Sequence, residues 1–99
     1  MSQQIIHCPP TSSMRKQGYY GTTWVLRSGN VAHNVVVYFS TCSPKDQFCK
    51  KKGIAQAEQT CTYIVAKSEL IRFINNQHSM NGLYVLPTTE QIYQAVIRL

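Results

Sequence analysis

The sequence predicts an α+β domain: an antiparallel sheet of three to four strands built on a central hairpin and covered by two to three helices. Three observations carry this. Two stretches with strand periodicity flank the turn residues Ser28, Gly29 and Asn30. Ser43 and Pro44 have the character of a helix start. Thr88 and Gln91 have the spacing of a reciprocal capping box ahead of an apolar helical stripe. The resulting order, β-β-β-α-β-α-β-α, suits a single domain over 1–99 in which helices cover an antiparallel sheet, and 99 residues are enough for one hydrophobic core but not two.

Taken in order, Ile5 and Ile6 lie in a short edge strand over 4–8, which Pro9 and Pro10 terminate because proline supplies no ladder N–H. An exposed connection follows, carrying Arg15 and Lys16. In 19–27 the side chains of Tyr20, Thr22, Trp24 and Leu26 share one face, and those of Tyr19, Gly21, Thr23, Val25 and Arg27 share the other. In 31–41 the two sets are Val31, His33, Val35, Val37 and Phe39 against Ala32, Asn34, Val36, Tyr38 and Ser40. These stretches form the central hairpin.

A helix is expected over 44–59, with Ser43 as cap, Pro44 at the first helical position and Asp46 closing a variant capping box. Gly53 is its weak point, costing about 1 kcal/mol relative to alanine, but Gly53, Ala55 and Ala57 allow the helix to lie close to a sheet. A further strand is expected over 61–66, and a short helix over 69–76 capped by Ser68 and ended by the run from Asn75 to Ser79. Another short strand follows over 83–86. The last helix is capped by Thr88 and carries Ile92, Ala95, Val96 and Leu99 on one stripe.

Charge is sparse but lopsided: charged residues make up 14% of the chain, yet ten Lys and Arg against four acids give +6. A basic chain of this kind favours nucleic acid, an anionic membrane face or an acidic protein partner. The acids Asp46, Glu58, Glu69 and Glu90 are dispersed among the helices, which argues against paired-carboxylate catalysis. No run approaches the ~18 apolar residues of a membrane span, and the N-terminal residues lack signal-peptide character. An intracellular location is therefore expected, with Cys8, Cys42, Cys49 and Cys61 as free thiols.

The densest positive charge is Lys50, Lys51 and Lys52, with Lys45 just before them. Consecutive lysines on a helix fan out at ~100° per residue, so they do not all face one partner. Lys45 with Lys52, and Lys51 with Lys67 or Arg72, are the combinations expected to form a patch. The run reads either as a solvated helix face or as a phosphate-capturing surface whose binding weakens steeply with salt. Cys42, at a strand exit and helix entrance, is placed to feel the positive end of the helix dipole, but neither His7, His33 nor His78 has motif spacing to it as a base. The cysteines lack the close pairing of zinc sites, and His33 reads as a sheet histidine. The glycines are too scattered for a phosphate loop. No catalytic residue, metal or cofactor is expected.

The segment 42–57 resembles a pattern found in small bacteriophage-encoded accessory proteins of unassigned function, in which a strand runs into P-x-D-x-F-x-K-K-x-G and then a small-residue helix. Pro44, Asp46, Phe48, Lys50 or Lys51, Gly53 and Ala55 carry the match, and Glu58, Gln59 and Thr60 depart from the arginine-rich turn with which such segments often continue. The resemblance implies a phage accessory protein in the cytoplasm of an infected bacterium. The expected function is a non-enzymatic binding protein that engages nucleic acid, or the nucleic-acid groove of a host complex, through Lys45, Lys50, Lys51, Lys52, Arg15, Lys16 and Arg72. The alternative is a protein–protein inhibitor of a host antiviral defence system, anti-CRISPR or similar, acting through a hairpin edge or an exposed tyrosine face.

Overall fold

The computed structural model describes residues 3–45, 47–59, 62–81 and 83–99, with the side chains of 78–81 excepted. Asp46, Cys61 and Gly82 therefore lie outside the described residues, as do the proposed capping-box acid, the start of the strand expected over 61–66 and the turn glycine that they represent. Strands β1 (Gln3–Cys8), β2 (Gly21–Ser28), β3 (Asn34–Cys42) and β4 (Tyr63–Ala66) form one sheet in the order β1-β2-β3-β4, every neighbouring pair antiparallel. Helix α1 (Ser12–Lys16) joins β1 to β2, and α2 (Lys50–Glu58) joins β3 to β4. A 3-10 turn, Lys67–Glu69, leads into α3 (Leu70–Asn81), and α4 (Thr89–Arg98) ends the chain. The fold is α+β.

Strand alternation divides the apolar residues between two layers. Ile6, Cys8, Trp24, Leu26, Val35 and Val37 face α3 and α4, where Leu70, Ile74, Ile92 and Ala95 complete the main core. Val25 and Tyr38 point to the opposite face, with Val36 beside them, and meet Ala57 of α2. Trp24 is fully buried and stacks on Phe39, ring centroids 4.3 Å apart. Its indole N–H donates to Thr22 Oγ1 at 3.0 Å, and that hydroxyl donates to the Val85 carbonyl, so the polar atoms of this apolar layer are paired.

The last helix forms as its sequence dictates. Thr88 Oγ1 accepts from the Gln91 N–H at 3.1 Å, Gln91 Oε1 accepts from the Thr88 N–H at 2.8 Å, and Ile92 and Ala95 are buried.

The start of α2 differs. It begins at Lys50, not Pro44, and Cys49 holds the cap position without a side-chain hydrogen bond. Ser43 closes a tight turn instead, its Oγ accepting from the Lys45 N–H at 3.3 Å. The residues before the helix carry Phe48 back over Gly21 and edge-on to His7, ring centroids 6.2 Å apart. A serine cap is worth about 1 kcal/mol, whereas burying an aromatic ring contributes up to about 1.5–3 kcal/mol; seating Phe48 outweighs starting the helix early.

Other boundaries shift for similar local reasons. The connection after Pro10 contains α1, capped by Thr11, whose Oγ1 accepts from the Met14 N–H. The hairpin strands start later than their alternation suggests, and Val31 and His33 belong to an exposed loop, not to a strand face. That loop is closed by the Gly29 N–H on the Asn34 carbonyl at 3.1 Å. Ser68 lies within the 3-10 turn, not at a cap, and α3 runs through the Asn and Gln tract to Asn81, anchored by buried Leu70 and Ile74. The last strand expected, over 83–86, is reduced to a parallel bridge: the Tyr20 N–H donates to the Leu83 carbonyl and the Val85 N–H to the Tyr20 carbonyl, both at 2.8 Å.

Helix α2 approaches the sheet most closely at Gly53. A Cβ there would collide with the Thr23 hydroxyl, and the Gly53 carbonyl accepts from Ser40 Oγ at 2.7 Å. Alanine is favoured over glycine within a helix by about 1 kcal/mol, but overfilling a packed contact costs about 1–3 kcal/mol. Gly53→Ala is therefore expected to lower unfolding free energy by about 1 kcal/mol net in urea titration. A stabilised variant would contradict this seating of α2.

Candidate functional site

Strand register places the site. Cys8 pairs with Thr22, and Gly21 with Cys42, so the end of β1, the start of β2 and the end of β3 lie side by side. The connections that leave this end of the sheet carry most of the cations. Arg15 and Lys16 occupy the last turn of α1, Lys45 follows Pro44, and Lys50, Lys51 and Lys52 form the first turn of α2. Arg15 Nη2 donates to the Pro44 carbonyl at 3.2 Å, which fastens α1 to the turn that bears Lys45.

Arg72 does not join them. It lies on α3, against the opposite face of the sheet from α2, in an ion pair with Glu69 at 3.3 Å. Lys67 is no neighbour of Lys51 either: it follows β4 at the far end of the sheet, where its N–H donates to the His33 carbonyl. Six of the seven candidate residues thus lie at this end of the sheet, and Arg72 lies elsewhere.

The described carboxylates leave this end positive. Glu58 pairs with Arg27 at 3.4 Å and Glu69 with Arg72, both away from the cluster. Among the described residues none forms an ion pair with Lys45, Lys50, Lys51 or Lys52, and all four are exposed. The lysine fan is visible in what its members meet. Lys52 lines a cleft of 410 Å³ between α2 and the ends of β2 and β3, while Lys50 acts on His7.

His7 Nδ1 lies 3.3 Å from Thr23 Oγ1. Its pKa is held below the ordinary value, first by desolvation and then by the positive charge of Lys50.

The cleft gathers hydroxyls and thiols as well as Lys52, including Thr41, Cys42, Ser43 and Cys49. Cys42 is not at a helix N-terminus, because α2 starts after Cys49; its thiol instead faces the carbonyls of Ser43 at 3.8 Å and Gln47 at 3.7 Å. Burial pushes the Cys8 thiol up to about 11, which keeps it protonated. Among the described residues, Cys8, Cys42 and Cys49 form no disulfide with one another. His33 is exposed in the hairpin loop at the far end, and the described residues contain no cluster of three or more His, Cys, Asp and Glu side chains that would hold a metal. The side chain of His78 lies outside the described residues.

Sequence reasoning missed Thr23, Ser40 and Gln56 as walls of the cleft. Buried small polar residues on an otherwise apolar strand were the available signal for the first two. Among the described residues no helix is long and apolar enough to cross a membrane.

Desolvation and Lys50 both favour neutral His7 in the folded protein, whereas the unfolded chain titrates near 6.5. Its contribution to stability is therefore fully present above 6.5 and is lost as the pH falls from there through the lowered folded value, because the unfolded chain takes up the proton first. His7→Gln, which retains a polar group beside Thr23, should show a smaller drop in Tm than the parent between about pH 7.5 and about pH 5.5. An equal drop would contradict the coupling.

No protein-family model matches the chain, and neither curated proteins nor solved structures give a match.

Proposed function

We propose that this chain is a non-enzymatic binding module that engages nucleic acid, or the nucleic-acid groove of a host complex, through the cationic end of its sheet. The observation that carries the reading is the gathering of Arg15, Lys16, Lys45, Lys50, Lys51 and Lys52 at one end, with the described ion pairs located elsewhere. Phosphate contacts of this kind release condensed counterions and supply affinity without requiring a sequence motif. The likeness of 42–57 to phage accessory segments suggests the setting, an infected bacterial cell.

A second reading, protein–protein inhibition of a host antiviral defence system, is favoured by one feature. Tyr93 and Ile97 stand four residues apart on α4, 61% and 63% exposed, and offer an apolar strip away from the lysines.

Fluorescence anisotropy with labelled oligonucleotides separates the two. The parent should bind at low salt and lose affinity steeply as salt rises, with a logarithmic slope of about −0.7 to −0.9 per phosphate neutralised. Changing Lys50, Lys51 and Lys52 together to Ala should flatten that slope by about 1 to 2, because the fan lets one or two of the three reach a given backbone, and leave the unfolding free energy within about 0.5 kcal/mol. Arg72→Ala should leave binding unchanged. Absence of binding at low salt contradicts the nucleic-acid reading, and nuclease-resistant capture of a host protein that is lost on changing Tyr93 and Ile97 supports the second.

A further inference from the structure

We propose that the nucleic acid engaged is single-stranded, and that its bases stack in an aromatic groove continuous with the cationic cleft. The inference rests on the nucleic-acid reading above and specifies the form of ligand that the site takes.

A second groove, of 590 Å³, shares Ser40, Thr41 and Gln56 with the cleft that holds Lys52. Its other walls are Phe39, Tyr63, Tyr84 and Gln59. β4 pairs with Asn34 to Val37 of β3, and the groove continues past the start of β4 along Phe39, Ser40 and Thr41. A strand whose phosphates lie by Lys52 can therefore extend around this side of the sheet without crossing a helix.

The two grooves divide the chemistry that a single strand requires. The first offers an ammonium group and hydroxyls to the backbone. The second offers flat apolar rings to the bases and, from α2 and its C-terminal cap, two amides three residues apart. Gln56 and Gln59 can each donate to and accept from an exposed base edge. A duplex uses its Watson–Crick edges in pairing and buries its ring faces in its own stack, so it offers no base face to such a groove.

The rings are also braced from outside it. Phe39 stacks on Trp24, Tyr63 leans on Phe73 with centroids 5.2 Å apart, and Tyr84 meets Tyr20 edge-on at 5.9 Å. Trp24, Phe73 and Tyr20 do not line the groove. Each ring is thus fixed before a ligand arrives, which lowers the ordering cost of stacking. Tyr63 is 39% exposed, so its open side remains available.

The test compares labelled oligothymidine and oligouridine with a duplex of the same length, using the full chain in anisotropy titrations. The parent should bind the single strands more tightly than the duplex. Tyr63→Leu and Tyr84→Leu, which keep apolar contact with Phe73 and Tyr20, should each weaken single-strand binding by about fivefold or more. Neither should alter duplex binding or the salt slope. Equal or tighter duplex binding by the parent, a comparison that needs no variant, overturns this inference and leaves the cationic site standing. So does unaltered single-strand binding by folded Leu variants. Failure to bind any of the three probes at low salt overturns the cationic reading and this inference with it.

Discussion

The seating of α2 on the sheet at Gly53 fixes where the cationic surface lies. With no side chain at that position, helix and strand approach until the Gly53 carbonyl accepts from Ser40 and its Cα faces Thr23. Lys50, Lys51 and Lys52 lie in the turn just before this contact, so their position over β2 and β3 follows from it. At the other end of α2, Glu58 reaches Arg27, whose guanidinium also lies over Tyr38 at 5.0 Å. An exposed ion pair contributes only about 0–1 kcal/mol. The burial of Ala57 and the glycine seat therefore hold the helix, and the ion pair adds little.

Concentrating cations at one end carries a cost that exposure keeps small. Two unit charges 4 Å apart repel by about 1 kcal/mol in water, and beyond about 10 Å they are largely screened at 0.1 M salt. The lysines of α2 and the turn are exposed and work in that regime. An anionic ligand of the kind proposed above would relieve this repulsion on binding. The partly buried His7 responds to the same field, and Lys50 contributes to keeping its imidazole neutral.

The architecture was legible wherever one physical signal dominated. Alternation separated Trp24 and Leu26 from Val25 in β2, and Val35 and Val37 from Tyr38 in β3, and packing then sorts these sets into two cores; the Thr88 and Gln91 box located α4. The start of α2 was misread because Ser43 and Pro44 suit a tight turn as well as a helix cap, and the deciding contact, Phe48 against Gly21 and His7, is between residues distant in sequence. The cationic residues were legible as a list, but their grouping was not. Arg15 joins Lys45 through the Pro44 carbonyl, while Arg72 is carried away by a helix packed on the other face. The aromatic groove was equally hidden, since Phe39, Tyr63 and Tyr84 come from three separate segments that tertiary packing brings together.

Chemical-shift mapping by NMR during titration with a single-stranded oligonucleotide tests the central claim most directly, because it reports the bound surface residue by residue without a substitution. The account predicts shifts concentrated at the amides of Thr41, Lys45, Lys50 to Gly53, Gln56, Tyr63 and Tyr84, with Arg72, Tyr93 and Arg98 unmoved. Shifts centred on α3 and α4, with the α2 lysines silent, would contradict it.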